Sequence, residues 1–186
     1  MKATQVLSDE HRVIEHVLSA MQLMTKRITQ GEQVRPGFFL DAADFIKEFA
    51  DGCHHRKEEG VFFIALEKAG LPTQGGPVGV MLADHEKGRE FTRKMKAATQ
   101  KWADGDSTVL SQVLENAQGY FDLLQQHIYK EDNILFPMAD KILPAEVQQQ
   151  VLNDFERIEV EETGAGFHER YHAMAETLQA ESLGKI

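Results

Sequence analysis

Four histidines of this chain, His11, His54, His85 and His127, sit inside apolar stripes at helical spacing. Two of them carry a glutamate one turn on, in His54-x-x-x-Glu58 and His127-x-x-x-Glu131. Side chains four residues apart on a helix share a face. Imidazole and carboxylate are costly to bury unless something pairs with them. A metal ion is the simplest partner, and this ligand set suits iron. Four imidazoles and two carboxylates suit two ions, each taking two imidazoles with both glutamates bridging. That arrangement leaves coordination positions open to a diatomic molecule, a peroxide or water.

Any one of these histidines is most economically read as an ordinary core or surface residue. The set argues otherwise. The His-x-x-x-Glu pattern recurs at His11-Glu15, His54-Glu58, His55-Glu59 and His127-Glu131, where roughly one match is expected by chance among eight histidines. His16 lies about 140° from His11 on a helix of 3.6 residues per turn and is expected to face solvent. His55 and Glu59 are one position off the face of His54 and Glu58, which reads as an outer or surface position. Glu15 shares the face of His11 and is expected to orient it. Cys53 sits about 100° from His54 and reads as a small core residue.

The elements that must carry these residues are helices almost throughout. Ser8 is a good N-cap, with Asp9 and Glu10 behind it. The stripe Leu7, His11, Ile14, Leu18, Met21 then runs to a stop before Gly31. A second helix opens at Pro36, buries Phe38, Ala42, Phe45, Ile46, Phe49, Ala50, His54, Glu58, Phe62 and Ala65, and stops at Gly70. A third runs from about Val78 to Trp102, with Met81, His85, Gly88, Thr92 and Met95 in line. Gly88 reads either as space beside a metal or as a close helix crossing. A fourth runs from about Ser107 to Phe136 on the stripe Leu110, Leu114, Ala117, Tyr120, Leu124, His127, Glu131, Ile134, and Pro137 is expected to kink or end it. Long helices with short loops predict an all-α fold, an up-down-up-down four-helix bundle. His11 and His85 lie near the starts of their helices and His54 and His127 towards the ends of theirs. Alternating direction therefore brings all four to one layer.

The expected division is a bundle over residues 1–142 and a C-terminal helical extension over 143–186, packed on the bundle. The extension reads as helix over 145–162, a break at Thr163-Gly-Ala-Gly166, and a last helix over 167–182 with Phe167, Tyr171, Met174 and Leu178 on its apolar face. Glu161, Glu162, His168 and His172 form a second constellation there. It reads as a solvated helix packed on the bundle; the sharper alternative is a cap that adds a ligand or gate to the metal layer.

The 186 residues suit one domain with an appendage, and 42% hydrophobic with 27% charged content is that of a globular protein. A net charge of −10 without a basic run argues against nucleic acid. No apolar run approaches a membrane span of roughly 20 residues. No stretch near the N-terminus has signal-peptide character, so a cytoplasmic location is expected. One cysteine makes neither an internal disulfide nor a Cys-based zinc site. The expected state is a monomer or small homo-oligomer.

The segments Asp9-Glu-His-Arg-Val-Ile-Glu15, His54-His-Arg-Lys-Glu-Glu59, Asp84-His-Glu86, His127-Ile-Tyr-Lys-Glu-Asp-Asn133 and Leu135-Phe-Pro137 resemble hemerythrin-like, or HHE cation-binding, proteins over roughly residues 5–142. The resemblance implies a non-haem di-iron centre with an oxo or hydroxo bridge and two carboxylates. Its ligands would be His11, His54, Glu58, His85, His127 and Glu131, and Zn or Mn could occupy the same set. Oxygen-carrying members have two histidines one turn apart on the third helix, where this chain has Arg89 four residues after His85. Their last carboxylate lies five residues after its histidine, which would select Asp132 here; Glu131 fits the broader HHE branch. With one imidazole fewer the centre is expected to be more open than an oxygen carrier's. Implied roles are binding of O2, NO or peroxide in sensing or in oxidative or nitrosative stress defence. Alternatives are iron donation for repair of iron–sulfur clusters, or a peroxidase, catalase-like or NO-reducing enzyme. A ferritin-type centre uses Glu-x-x-His, found here only at Glu169-x-x-His172.

Overall fold

In the computed structural model, residues 2–185 are described, and every regular element among them is helical. The helices are α1 (Ala3–Thr29), α2 (37–68), α3 (Gly76–Ala103), α4 (110–142), α5 (145–163) and α6 (Phe167–Ser182). No described helix is long and apolar enough to cross a membrane.

The apolar stripes build two clusters. One gathers Ile14, Leu18 and Met21 of α1, Phe38 to Ala50 of α2, Met95 of α3, and Ala117, Tyr120 and Leu124 of α4. The other gathers Ala3 and Leu7 of α1, Phe62, Phe63 and Leu66 of α2, Val78 and Met81 of α3, and Leu135, Phe136 and Ala139 of α4. The sequence order in which the helices meet the clusters alternates from α1 to α4. On each helix the stretch between clusters carries the polar residues of interest: His11, His54 to Glu58, His85, and His127 to Glu131. One buried polar layer therefore separates two apolar masses.

The C-terminal helices complete both masses. Val151 and Phe155 of α5 join the second cluster, and Tyr171, Ala175 and Leu178 of α6 join the first. Arg35 holds Glu181 through two hydrogen bonds of 2.7 and 2.6 Å, which ties α6 to the start of α2.

Helix α1 begins five residues before the expected cap. Burial of Ala3 and Leu7 favours the extra turn, and Gln148 of α5 accepts from the Ala3 N–H at 3.4 Å, serving one of the helix's unpaired donors. Ser8 does not cap; its hydroxyl donates to Asp132. Gly31 and Gly70 end α1 and α2 with φ of +86° and +99°, a region open to glycine at little cost. A Cβ on Gly88 would lie 3.4 Å from Leu124 and 3.5 Å from Tyr120, ordinary van der Waals contact where α3 meets α4.

Two departures from the predicted stripes share a cause. Ile134 is 48% exposed, and Leu135 takes its place in the core. On α2, Leu66 is fully buried where Ala65 was expected. Ile134 and Leu135 lie within a π-helical turn, Glu131–Leu135, Leu66 follows another, Glu58–Phe62, and a longer π turn spans Ile46–His55. An i→i+5 turn holds an extra residue and resets the phase of the helix, and such turns are frequent at functional sites. The chain also stays helical through Pro137 to Ile142 rather than ending there. Pro137 falls in the first turn of the α-helical segment after the π turn, where its missing N–H does least harm.

Candidate metal centre

The layer is built from pairs of helices. Glu58 stands between His54 of its own helix and His85 of α3, with oxygens 3.6 and 3.4 Å from their Nε2 atoms. Glu131 stands between His127 of its own helix and His11 of α1, one oxygen lying 3.2 Å from each Nε2. All six side chains are at most 1% exposed. Their donor atoms fall into two overlapping groups, each within 4.8 Å: His11, His54, Glu58 and Glu131, and His55, Glu58, His85 and His127. All six sequence-predicted ligands are thus brought together, and His55 joins them.

The fit of a cation can be tested on unpaired atoms. Both oxygens of Glu58, both of Glu131, and Nε2 of His11 and of His54 are buried without a hydrogen-bond partner among the described residues. Buried polar atoms are almost always satisfied, and leaving one bare costs about 1–3 kcal/mol. So many bare acceptors facing one another suit cations between them, and the imidazole–carboxylate donor set suits iron among other transition metals.

The outer contacts form a ring. Glu10, next to His11, accepts from His54 Nδ1 at 2.9 Å. Glu59, next to Glu58, takes His85 Nδ1 at 2.7 Å. Asp84, next to His85, stands 3.5 Å from His127 Nδ1. Asp132, next to Glu131, takes His11 Nδ1 at 2.9 Å. Each helix therefore sets a carboxylate against the histidine of the next, from α1 round to α4 and back. It does so by a hydrogen bond at three of them and by proximity alone at His127, whose Nδ1 has no hydrogen-bond partner among the described residues. A carboxylate on Nδ1 fixes the tautomer and aims Nε2 inward, the usual support of a ligating imidazole. Glu15, expected in this role for His11, pairs instead with Arg12 at the surface. Asp132 points outward to the ring, so Glu131 is the inward carboxylate. The adjacent acids in Glu58-Glu59 and Glu131-Asp132 carried a signal that periodicity overlooked: one faces in, and its neighbour reaches across to another helix.

Burial raises Glu58 above the usual carboxylate range, and the nearby Glu131 charge pushes the same way. Burial also works to raise Glu131, but the His127 and His11 charges hold it well below that range. Burial opposes charging His11 and His127; the Asp132 carboxylate that accepts from His11, together with the adjacent Glu131 charge, raises His11 to about 9, and the Glu131 charge with Asp84 raises His127 to about 10. Burial keeps His54 and His85 below the ordinary imidazole value.

His16 is exposed, as expected. His55 is not at the surface: it is buried and stacked on His85, with ring centroids 3.8 Å apart. The π turn that ends at His55 changes the phase by which it was placed outside. Cys53 is buried, and burial pushes its thiol up to about 12, consistent with an unreactive core residue.

The constellation in the C-terminal helices divides. His172 and Glu161 are exposed, and the Glu162 side chain lies outside the described residues. His168, 30% exposed, turns inward, with Nε2 3.6 Å from Cys53 Sγ, 3.5 Å from Glu159 and 3.9 Å from Glu10. The buried Lys57 ammonium sits between Glu10 and Glu159 and supplies the positive charge that this group needs. His168 thus ends one carboxylate short of the layer, behind Glu10. Replacing both His168 and His172 with alanine is expected to leave metal per chain and optical bands unchanged; loss of metal would make the extension part of the centre.

The family model described as the hemerythrin HHE cation binding domain matches residues 2–139. Uncharacterised proteins of Mycobacterium tuberculosis and Mycobacterium bovis are 26% identical over 166 residues, 89% of this chain and 64% of theirs. The iron-sulfur cluster repair protein YtfE of Dickeya chrysanthemi is 27% identical over 136 residues, 70% of this chain and 60% of that protein. The chain therefore spans less than two thirds of the length of these relatives. No solved structure matches it significantly.

Proposed function

Because the chain belongs to the hemerythrin HHE cation-binding family, we propose that its buried layer holds two iron ions in a carboxylate-bridged centre that binds O2, NO or peroxide in sensing or stress defence. The observation that carries this reading is the pair of fully buried glutamates, each with both oxygens bare and each set between imidazoles of two helices. His11 and His54 would hold one ion, His85 and His127 the other, with Glu58 and Glu131 spanning both. When bound, iron would supply open coordination positions and reversible electron transfer. The protein supplies the rest. The ring carboxylates position the imidazoles, and the two apolar clusters keep bulk water out. The proposal includes an up-down-up-down bundle over 1–142 with 143–186 packed against it.

A second reading is iron donation to damaged iron–sulfur centres. It is favoured by the relative named as an iron–sulfur cluster repair protein. One experiment separates them. Protein purified without air is analysed for metal, and its spectrum is recorded before and after O2 and NO. Two irons per chain and new charge-transfer bands on gas exposure support the first reading. A loaded protein that stays colourless in air sinks it. Transfer of iron to an apo iron–sulfur protein supports the second.

A further inference from the structure

The ring of outer contacts gives the layer an approximate two-fold pattern: His11 with His54-x-x-x-Glu58 matches His85 with His127-x-x-x-Glu131. One residue breaks it. The position after His54 is His55, and the position after His127 is Ile128, part of the apolar core. His55 has the marks of the other four histidines. It is buried, its ring lies nearly parallel to that of His85 at 17° and edge-on to His127 at 5.8 Å, and a donor atom of it falls within 4.8 Å of those of Glu58, His85 and His127. Its Nδ1 is held by the Asp51 carboxylate at 2.8 Å, which leaves the other ring nitrogen to bind.

Arg89 supports this arrangement from outside. It lies four residues beyond His85, on the same face of α3, and reaches both Glu59, which holds His85, and Asp51, at 3.5 Å, which holds His55. One guanidinium thus fixes the carboxylates behind two stacked imidazoles, a task suited to its planar fork of donors.

We infer that His55 is a fifth imidazole ligand, so that the ion at His85 and His127 takes three imidazoles while the ion at His11 and His54 takes two. This rests on the two-ion reading above and deepens it. The two ions are then inequivalent, and the open coordination gathers at the His11–His54 ion. Arg89 is a positioning residue in this scheme, acting through Asp51 and Glu59.

The test uses cobalt(II) in the full chain. Each ligating histidine keeps its Nδ1 proton, and cobalt shifts that exchangeable signal far outside the normal NMR window. The wild-type chain with two cobalt ions is expected to show five such signals. His55→Phe, which keeps a ring against His85 but removes the nitrogen, is expected to lose one of them. It is also expected to weaken one binding step by at least the 10- to 100-fold that loss of an outer contact costs. Arg89→Gln is expected to keep five signals with a weaker affinity for one ion. Four signals in the wild type, or unchanged binding steps in His55→Phe, overturn the role of His55 and leave the two-ion reading standing. A wild-type chain that binds no cobalt overturns both. The wild-type count needs no variant, so it decides the matter even if His55→Phe fails to fold.

Discussion

Glu58→Met is expected to drop bound metal from two ions per chain to one or none and, at the same time, to raise the melting temperature of the metal-free protein. The carboxylate is fully buried, with both oxygens bare. Its value lies in the loaded state. Burial holds the Glu58 carboxyl largely neutral in the metal-free fold, and leaving such a buried polar group without a partner costs about 1–3 kcal/mol, which an apolar side chain of similar size removes. For a chain of this size each kcal/mol shifts melting by about 2–4 °C, so the metal-free variant should melt several degrees higher. The wild type should gain far more on loading. An ion at 100 times its Kd adds about 2.7 kcal/mol, and two such ions raise melting by about 10–20 °C. Calorimetry of loaded and metal-free forms of both proteins checks this. A Glu58→Met chain that keeps two ions, or a wild type whose melting ignores metal, would refute the central place given to Glu58.

The second large effect is a divergence of the two forms with pH. His11 and His127 have pKa values raised to about 9 and about 10 in the metal-free fold. A group raised in the folded state stabilises fully below its unfolded value, about 6.5 for imidazole, and that contribution is lost as pH rises through the folded value. The metal-free chain should therefore lose stability between about pH 6.5 and 10. Metal binding has the opposite sign, since only the neutral ring ligates and binding expels protons. Loading near pH 7 should release about three protons per chain, from His11, His127 and the Glu58 carboxyl, which burial raises to about 8, and affinity should rise steeply with pH across that window. Proton release in a weakly buffered cobalt titration measures the first, and melting curves from pH 6 to 9 measure the second. A melting-temperature gap between loaded and free chains that stays constant with pH would refute the link between these histidines and the metal.

Much of this protein was legible as a line of residues. Helical stripes placed Leu7, His11, Ile14, Leu18 and Met21 in the core, as they placed Met81, His85 and Met95. These side chains are apolar or imidazole, and their spacing follows the ordinary α period. His11, His54, His85 and His127 lie in one buried layer between the two apolar clusters. The stops at Gly31 and Gly70 were equally readable, because few other residues tolerate positive φ.

What the sequence by itself determined, then, is the inventory: which helices exist, which faces they bury, and which imidazoles and carboxylates are available to a metal. Tertiary structure alone decided the wiring. The carboxylates that aim the histidines, Glu10, Glu59, Asp84 and Asp132, all act on a different helix, and periodicity reads one helix at a time. The phase of each helix past its glutamate was set by a π turn, which trades an α hydrogen bond for packing of Phe62 and Leu66, or of Leu135, against the second cluster. That choice depends on neighbours distant in sequence. It also carried His55 from the surface, where spacing alone put it, into the layer beside His85.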